Sequence, residues 1–368
     1  MHDPGAETEA ADPTLAMSAR THDFIRAPLA EHGGSPYGNP LIEERKKFGF
    51  ASLQTDEFTS ASRQFISKEG AVNQRGRVLG GSTAINAGFY RSASKEYIKR
   101  DRWDPESARE AYEQAESKIV FRPSLEAWQS VTADCMVEAG IRPFNGFSLE
   151  HLQGTKVGGN IFDAHGRRHS SADLLATAGN SNKITHLLNA TVQNVIFDDA
   201  AHWGVLRSCG VRRKEHLMQF NITRLSDVRA VGQSMQDNPA MFLSLNYSSS
   251  HALQQLPTDA PQVAGILNGF RIIIGTSMFY QGFNTSIQPV LGGRLAHPTS
   301  RGSLRLVSRD PRQNPSVKFN YLAEEKDLDQ CVEAVRLLEK IANFISISAF
   351  LGRKQSRISS TRDFCKKV

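Results

Sequence analysis

A chain of 368 residues has room for about two domains, and an apolar content of 39% supports a buried core, which excludes disordered and fibrous classes. The net charge of +6 is scattered among 44 basic and 38 acidic residues, and short clusters such as Arg212-Arg213-Lys214 read as solvated surface, so no nucleic-acid partner is expected. The four cysteines, Cys135, Cys209, Cys331 and Cys365, form no CxxC and no metal-type pairing with histidine.

Residues 1–30 read as irregular, with acids where a secretory leader needs positive charge, and only "FIRAPLA" begins an element. Next comes "NQRGRVLGGSTAINAGFY", Asn73 to Tyr90, with four glycines and the small hydroxyls Ser82 and Thr83. Glycines let backbone approach a ligand closely with its amides outward, which suits an anionic group. The stretch is neither a Walker motif nor GxGxxG, so composition leaves open a phosphate or dinucleotide loop and an ordinary glycine-rich turn.

Asp104-Pro105 opens a helix through "DPESAREAYEQAESKIV", and a second is expected in "SLEAWQSVTADCMVEAG", capped by Ser124 and ended by Gly140. His165 and His169 are four apart, but the intervening "GRR" reads as a turn, so metal binding is not expected. No GxSxG, HExxH or paired-carboxylate signature occurs.

From Lys183 the texture becomes β. "KITHLLNATVQNVIFDD" contains two β-branched runs, and "AMFLSLNYS" places Met241, Leu243, Leu245 and Tyr247 on one face. The most apolar window, beginning at Val263, is broken by Asn268, Arg271 and three glycines, so core strand or helix is expected there and no membrane span. "GSLRLVSRDPRQNPSVKFNYL" predicts two strands around a turn. "AEEKDLDQCVEAVRLLEKIANF" then predicts a helix with Leu328, Cys331, Val332, Val335, Leu338 and Ile341 facing the core.

"GRVLGGSTAINAGFY" closely resembles the first signature of the glucose-methanol-choline (GMC) flavin oxidoreductases, in the plant HOTHEAD and mandelonitrile lyase branch. "EHGGSPYGNP", "AGIRPFNGFSLEHLQGTKVGGNIFDAHGRRHSSADLL", "VGQSMQDNP" and "SRGSLRLVSRDPRQNPSVKFNYL" follow in the order of that branch, covering most of residues 22–345. The resemblance implies an α/β plus α+β fold: an incomplete FAD-binding GMC fold with an antiparallel-sheet substrate domain. It implies an irregular segment 1–30, a discontinuous FAD-binding part 31–237 with interleaved helices, a substrate part 238–345 and a tail 346–368.

By the same resemblance the cofactor is FAD and the substrate a small alcohol or cyanohydrin. Val78, Ser82, Asn86, Ala87, Gly88 and Phe89 are expected to contact FAD. Glu31 stands where the family places the acid for the adenosine ribose, His32 where it usually has Arg, and Val192 at the position that pairs with adenine. Relatives of this branch are secreted and pair the cysteines corresponding to Cys331 and Cys365, which implies a disulfide.

Three departures shape the expected activity. "THDFIRAPLA" stands where the family has strand, GxGxxG and helix; the second signature is reduced to "SCGVRRKEHL"; and "FCKKV" stands ahead of the segment in which the family carries its catalytic histidine. No histidine here stands in a matching motif, so no catalytic residue is assigned. The expectation is an oxidoreductase relative acting on CH–OH donors but catalytically defective, with a hydroxynitrile lyase-like member or a non-catalytic shortened relative as alternatives.

Overall fold

The computed structural model describes residues 27–31, 33–55, 60–177, 184–190, 214–222, 230–248, 261–267, 270–277, 288–310 and 313–367. In chain order the strands are β1 (Ala27–Glu31), β2 (Ser62–Ile66), β3 (Val72–Gly76), β4 (Phe89–Tyr90), β5 (Phe144–Phe147), β6 (Gly154–Val157), β7 (Gly159–Asn160) and β8 (Ile184–Leu188). They continue with β9 (Ala240–Ser244), β10 (Val263–Leu267), β11 (Phe270–Ser277), β12 (Gln288–Leu295), β13 (Ser303–Arg305) and β14 (Ser316–Lys318).

Two assemblies matter for function. β1 and β8 pair in parallel, with Glu31 opposite Leu188. Six strands form a second sheet in the order β5-β6-β10-β11-β12-β9, antiparallel except for β5 against β6. The apolar window at Val263 is thus a pair of strands, β10 and β11, while β5 and β6 bring residues 144–157 into a sheet otherwise built from residues 240–295. β13 and β14 pair antiparallel as expected, as a separate ribbon with Leu304 opposite Val317.

Helices cover the large sheet. In Glu325–Ala342 all six expected core positions, Leu328, Cys331, Val332, Val335, Leu338 and Ile341, are buried. Helix Ala127–Glu138 adds Trp128 and Met136 to the same core, which also holds Met241, Val263 and Leu291. Along β9, Met241 and Leu245 are buried while Phe242 is exposed, as period-two alternation requires.

Local signals explain most helix ends. Asp104 accepts a hydrogen bond from Ser107 N at 2.8 Å and Pro105 fills the first turn of helix Pro105–Ile119. Gly140, at φ +103°, ends the second helix. Its start differs from the expectation, because the cap position is Glu126 rather than Ser124, and Glu126 makes no side-chain cap. At that start a distant residue is engaged: Glu126 N donates to Gln262 Oε1 at 3.4 Å.

Beyond the sheet, Cys331 and Cys365 form a disulfide that ties helix Thr361–Cys365 to helix Glu325–Ala342. Gln355 reaches the end of β9, where its Oε1 accepts from Asn246 N at 2.7 Å and its Nε2 donates to Asn246 O at 2.8 Å.

Candidate functional site

The glycine-rich stretch packs against the carboxyl end of the parallel pair. After β1, Gly33 O accepts from Asn189 N at 2.9 Å, which follows β8, and Gly34 O accepts from Leu79 N at 3.0 Å. Gly34 and Val78 form a parallel bridge. Only glycine permits this approach at position 33, where an added Cβ would lie 1.7 Å from Arg77 O. Glu31, Val78 and the end of β8 thereby converge at one rim, the side of a parallel sheet on which ligands are held.

From Val78 the chain turns through Gly80 and Gly81, at φ +91° and +56°, into the 3-10 turn Gly81–Ala84. Thr83 Oγ1 donates to Gly80 O at 2.5 Å and lies 3.0 Å from Ser171 Oγ, tying the turn to helix Ser171–Thr177. Val78, Ala84 and Ile85 point inward with Ile42 and Ala51 into a small core.

Ser82 and Asn86 are exposed, and among the described residues beyond its chain neighbours no atom lies within 4 Å of the place a Cβ on Gly81 would take. A turn closed behind by core and open in front to a glycine backbone fits a dinucleotide that must come close to main chain.

Side chains of the expected contacts have distinct duties. The Val78 side chain is buried, and its carbonyl accepts from Gly81 N at 2.7 Å. Ser82 Oγ accepts from Gly76 N at 3.0 Å. Asn86 Oδ1 accepts from Gly88 N at 2.9 Å and from Arg168 Nη1 at 3.1 Å, fixing the bend into β4. Ala87 is half-buried, Gly88 O accepts from Ile161 N at 2.9 Å, and Phe89 pairs with Asn160. Glu31 is placed by its backbone at the end of β1. His32 and Val192 lie outside the described residues.

Arg168 was not singled out by the sequence. Its guanidinium, 5% exposed, donates from Nε to Ile42 O at 3.1 Å, from Nη1 to Thr83 O at 3.0 Å and from Nη2 to Asn86 O at 2.7 Å. It also stacks 4.3 Å above the Phe162 ring. Burial alone lowers its pKa to about 9. Neighbouring acids are turned elsewhere: Glu43 faces Arg167 at 3.6 Å, and Asp163 faces His169 at 3.3 Å. His165 and His169 share no metal cluster among the described residues.

A second, half-buried group of titratable side chains lies at β4. Tyr90 Oη donates to Glu116 at 3.1 Å, and the buried Lys156, its pKa lowered to about 8 chiefly by desolvation, donates to Glu150 O. No described helix is long and apolar enough to cross a membrane.

Comparison with known proteins places this architecture. The family profile described as GMC oxidoreductase matches residues 298–363, which carry β13, β14, helix Glu325–Ala342 and most of the tail. The (R)-mandelonitrile lyase-like protein of Arabidopsis thaliana is 33% identical, the match covering 92% of this chain and 70% of that protein. The sinalpyl alcohol oxidase of Nesocodon mauritianus is 32% identical over 85% of this chain and 65% of its own length. The crystal structure of pyridoxine 4-oxidase from Mesorbium loti superposes with a TM-score of 0.73 at 14% identity, covering 92% of this chain and 81% of that one. With a family profile matched, a relative 33% identical along 70% of its length and a shared fold, the chain belongs to the GMC oxidoreductase family, whose cofactor is FAD.

Proposed function

We propose that this chain is an FAD-binding relative of the enzymes that oxidise CH–OH donors, and that residues 1–368 supply the cofactor wall and the substrate sheet without a matched catalytic base. FAD, when bound, supplies the hydride acceptor for alcohol oxidation. The observation carrying the reading is the convergence of Glu31, the Gly34–Val78 bridge and the open turn at Gly81 on the carboxyl rim of β1 and β8. In this reading Glu31 serves the adenosine ribose, the backbone at Val78 and Ser82 lines the pyrophosphate, and Asn86 to Phe89 line the flavin. His32 and Val192 keep their assignment to the adenosine side by resemblance alone. Residues 31–237 serve the cofactor, except for β5 and β6, which join the substrate sheet of residues 238–345.

A small alcohol is the substrate class, in line with the relative named an alcohol oxidase. The relative named mandelonitrile lyase-like supports a second reading, in which a cyanohydrin is handled without net redox change. Both need a group that moves the hydroxyl proton, and no histidine of residues 1–368 stands in the family's motif for it.

Purification of the chain with FAD, followed by dialysis and absorbance spectroscopy, separates these points. Retained flavin that aromatic alcohol does not bleach, with no cyanide released from mandelonitrile, is the expected result. Bleaching by alcohol overturns the claim of defective catalysis, cyanide release establishes the lyase reading, and loss of all flavin overturns the cofactor assignment.

A further inference from the structure

Arg168 carries a full positive charge, 5% exposed, with no carboxylate paired to it among the described residues. All its acceptors are neutral: three carbonyls and the Asn86 amide oxygen. An ion buried without a counter-ion is costly, and proteins normally pair it. Its immediate neighbour shows the usual solution, since Arg167 is largely exposed and faces Glu43. Whatever offsets the charge of Arg168 therefore comes from outside the described side chains.

Its position says from where. Two of the three carbonyls, Thr83 O and Asn86 O, belong to the stretch that also carries the open Gly81 and the exposed Ser82. The Asn86–Ala87 peptide is trans, so a carbonyl held toward Arg168 turns the Ala87 N–H the opposite way. That N–H meets no acceptor among the described residues. A donor polarised from behind by a guanidinium and left unfilled in front is a site for negative charge.

We infer that Arg168 is a positioning residue for the cofactor: it holds the Asn86–Ala87 peptide with its N–H outward and supplies, through the turn, the positive charge that offsets anionic FAD. The inference rests on the FAD reading above. It extends that reading by naming the group that favours the reduced cofactor, because reduction adds negative charge to the flavin and a fixed buried cation stabilises that form over the oxidised one. The phosphates benefit in both states.

The test uses the full chain with FAD and two readouts, the dissociation constant and the midpoint potential of the bound flavin. Arg168→Met is expected to weaken FAD binding roughly tenfold or more, the scale of one lost charge-assisted hydrogen bond, and to lower the midpoint potential. Arg167→Met is expected to move neither. A loop merely loosened by losing a structural side chain changes affinity but leaves the potential of the saturated protein unaltered, and that outcome overturns the inference.

If Arg168→Met does not fold, Arg168→Lys carries the test. Lysine keeps the charge but not the fork that spans four acceptors, so affinity falls while the potential stays close to wild type; a potential that drops with the charge retained overturns the inference. Wild-type protein that binds no FAD defeats the functional reading and this inference together. Wild-type protein that binds FAD while Arg168→Met behaves identically defeats this inference alone.

Discussion

Trp128, Met136, Leu291 and Leu338 belong to one continuous apolar core against the six-stranded sheet, and helix Glu325–Ala342 is fastened further by its disulfide. The wall from Val78 to Phe89 is built otherwise. Its own core is five small or medium side chains, Ile42, Ala51, Val78, Ala84 and Ile85. Most of its shape comes from glycine close approaches and from one buried guanidinium holding carbonyls. The first region draws its stability chiefly from hydrophobic burial. The second leaves a charge and an amide unmatched, so its stability is tied to a ligand through mass action.

Breaking the hydrophobic side should have the largest effect. Trp128→Ala removes a fully buried ring from the centre of the sheet core and is expected to cost about 3–5 kcal/mol in chemical denaturation. The same loss should appear with and without FAD.

Asp327 sharpens the contrast, since it is a buried charge whose partners are all present. Its carboxylate accepts from Thr299 N at 2.8 Å, Thr299 Oγ1 at 3.0 Å, Ser300 N at 2.7 Å and Ser300 Oγ at 2.5 Å. Desolvation opposes the charge, yet these donors outweigh it and hold its pKa below the ordinary value. A depressed folded-state pKa stabilises the fold above the unfolded carboxylate value and loses that contribution as pH falls through the lower one. Melting temperature should therefore stay level near neutrality and fall below about pH 4. Asp327→Asn should lower stability by about 1.5–3 kcal/mol at neutral pH and flatten the acid limb.

Gly33→Ala probes the ligand-dependent side. A methyl group there collides with Arg77 O, and relieving it moves the rim at a cost of about 1–3 kcal/mol. The expected signature is a loss of FAD affinity, measured by titration, exceeding the fall in melting temperature. A variant that binds FAD like wild type would show that this close approach does not shape the site.

What could be read from the sequence follows the same division. Helix Glu325–Ala342 and the alternation along β9 were legible because their burial repeats at the period of the backbone. Asp104-Pro105 announced a helix start through chemistry confined to one turn. Ser124 is not the cap: the helix begins two residues later than its side chain would require, after Glu126, whose N meets Gln262 far along the chain. Joining β5 and β6 to the large sheet is likewise a tertiary event with no local signature. For the site, the glycines from Gly76 to Gly88 pointed to close approach and the family resemblance named the cofactor. Arg168 stayed hidden inside "GRR", where two successive arginines have opposite fates, and only the packing of Phe162, Ile42 and Asn86 distinguishes them.

Gln355 has a wider consequence than two hydrogen bonds. Among the described residues β9 is the outermost strand of its sheet, and the Gln355 amide meets both the N–H and the C=O of Asn246 just past its end. One side chain there imitates the face of a neighbouring strand. The tail thus acts as a guard at the sheet's margin, occupying the position at which the edge of another molecule would otherwise begin to pair.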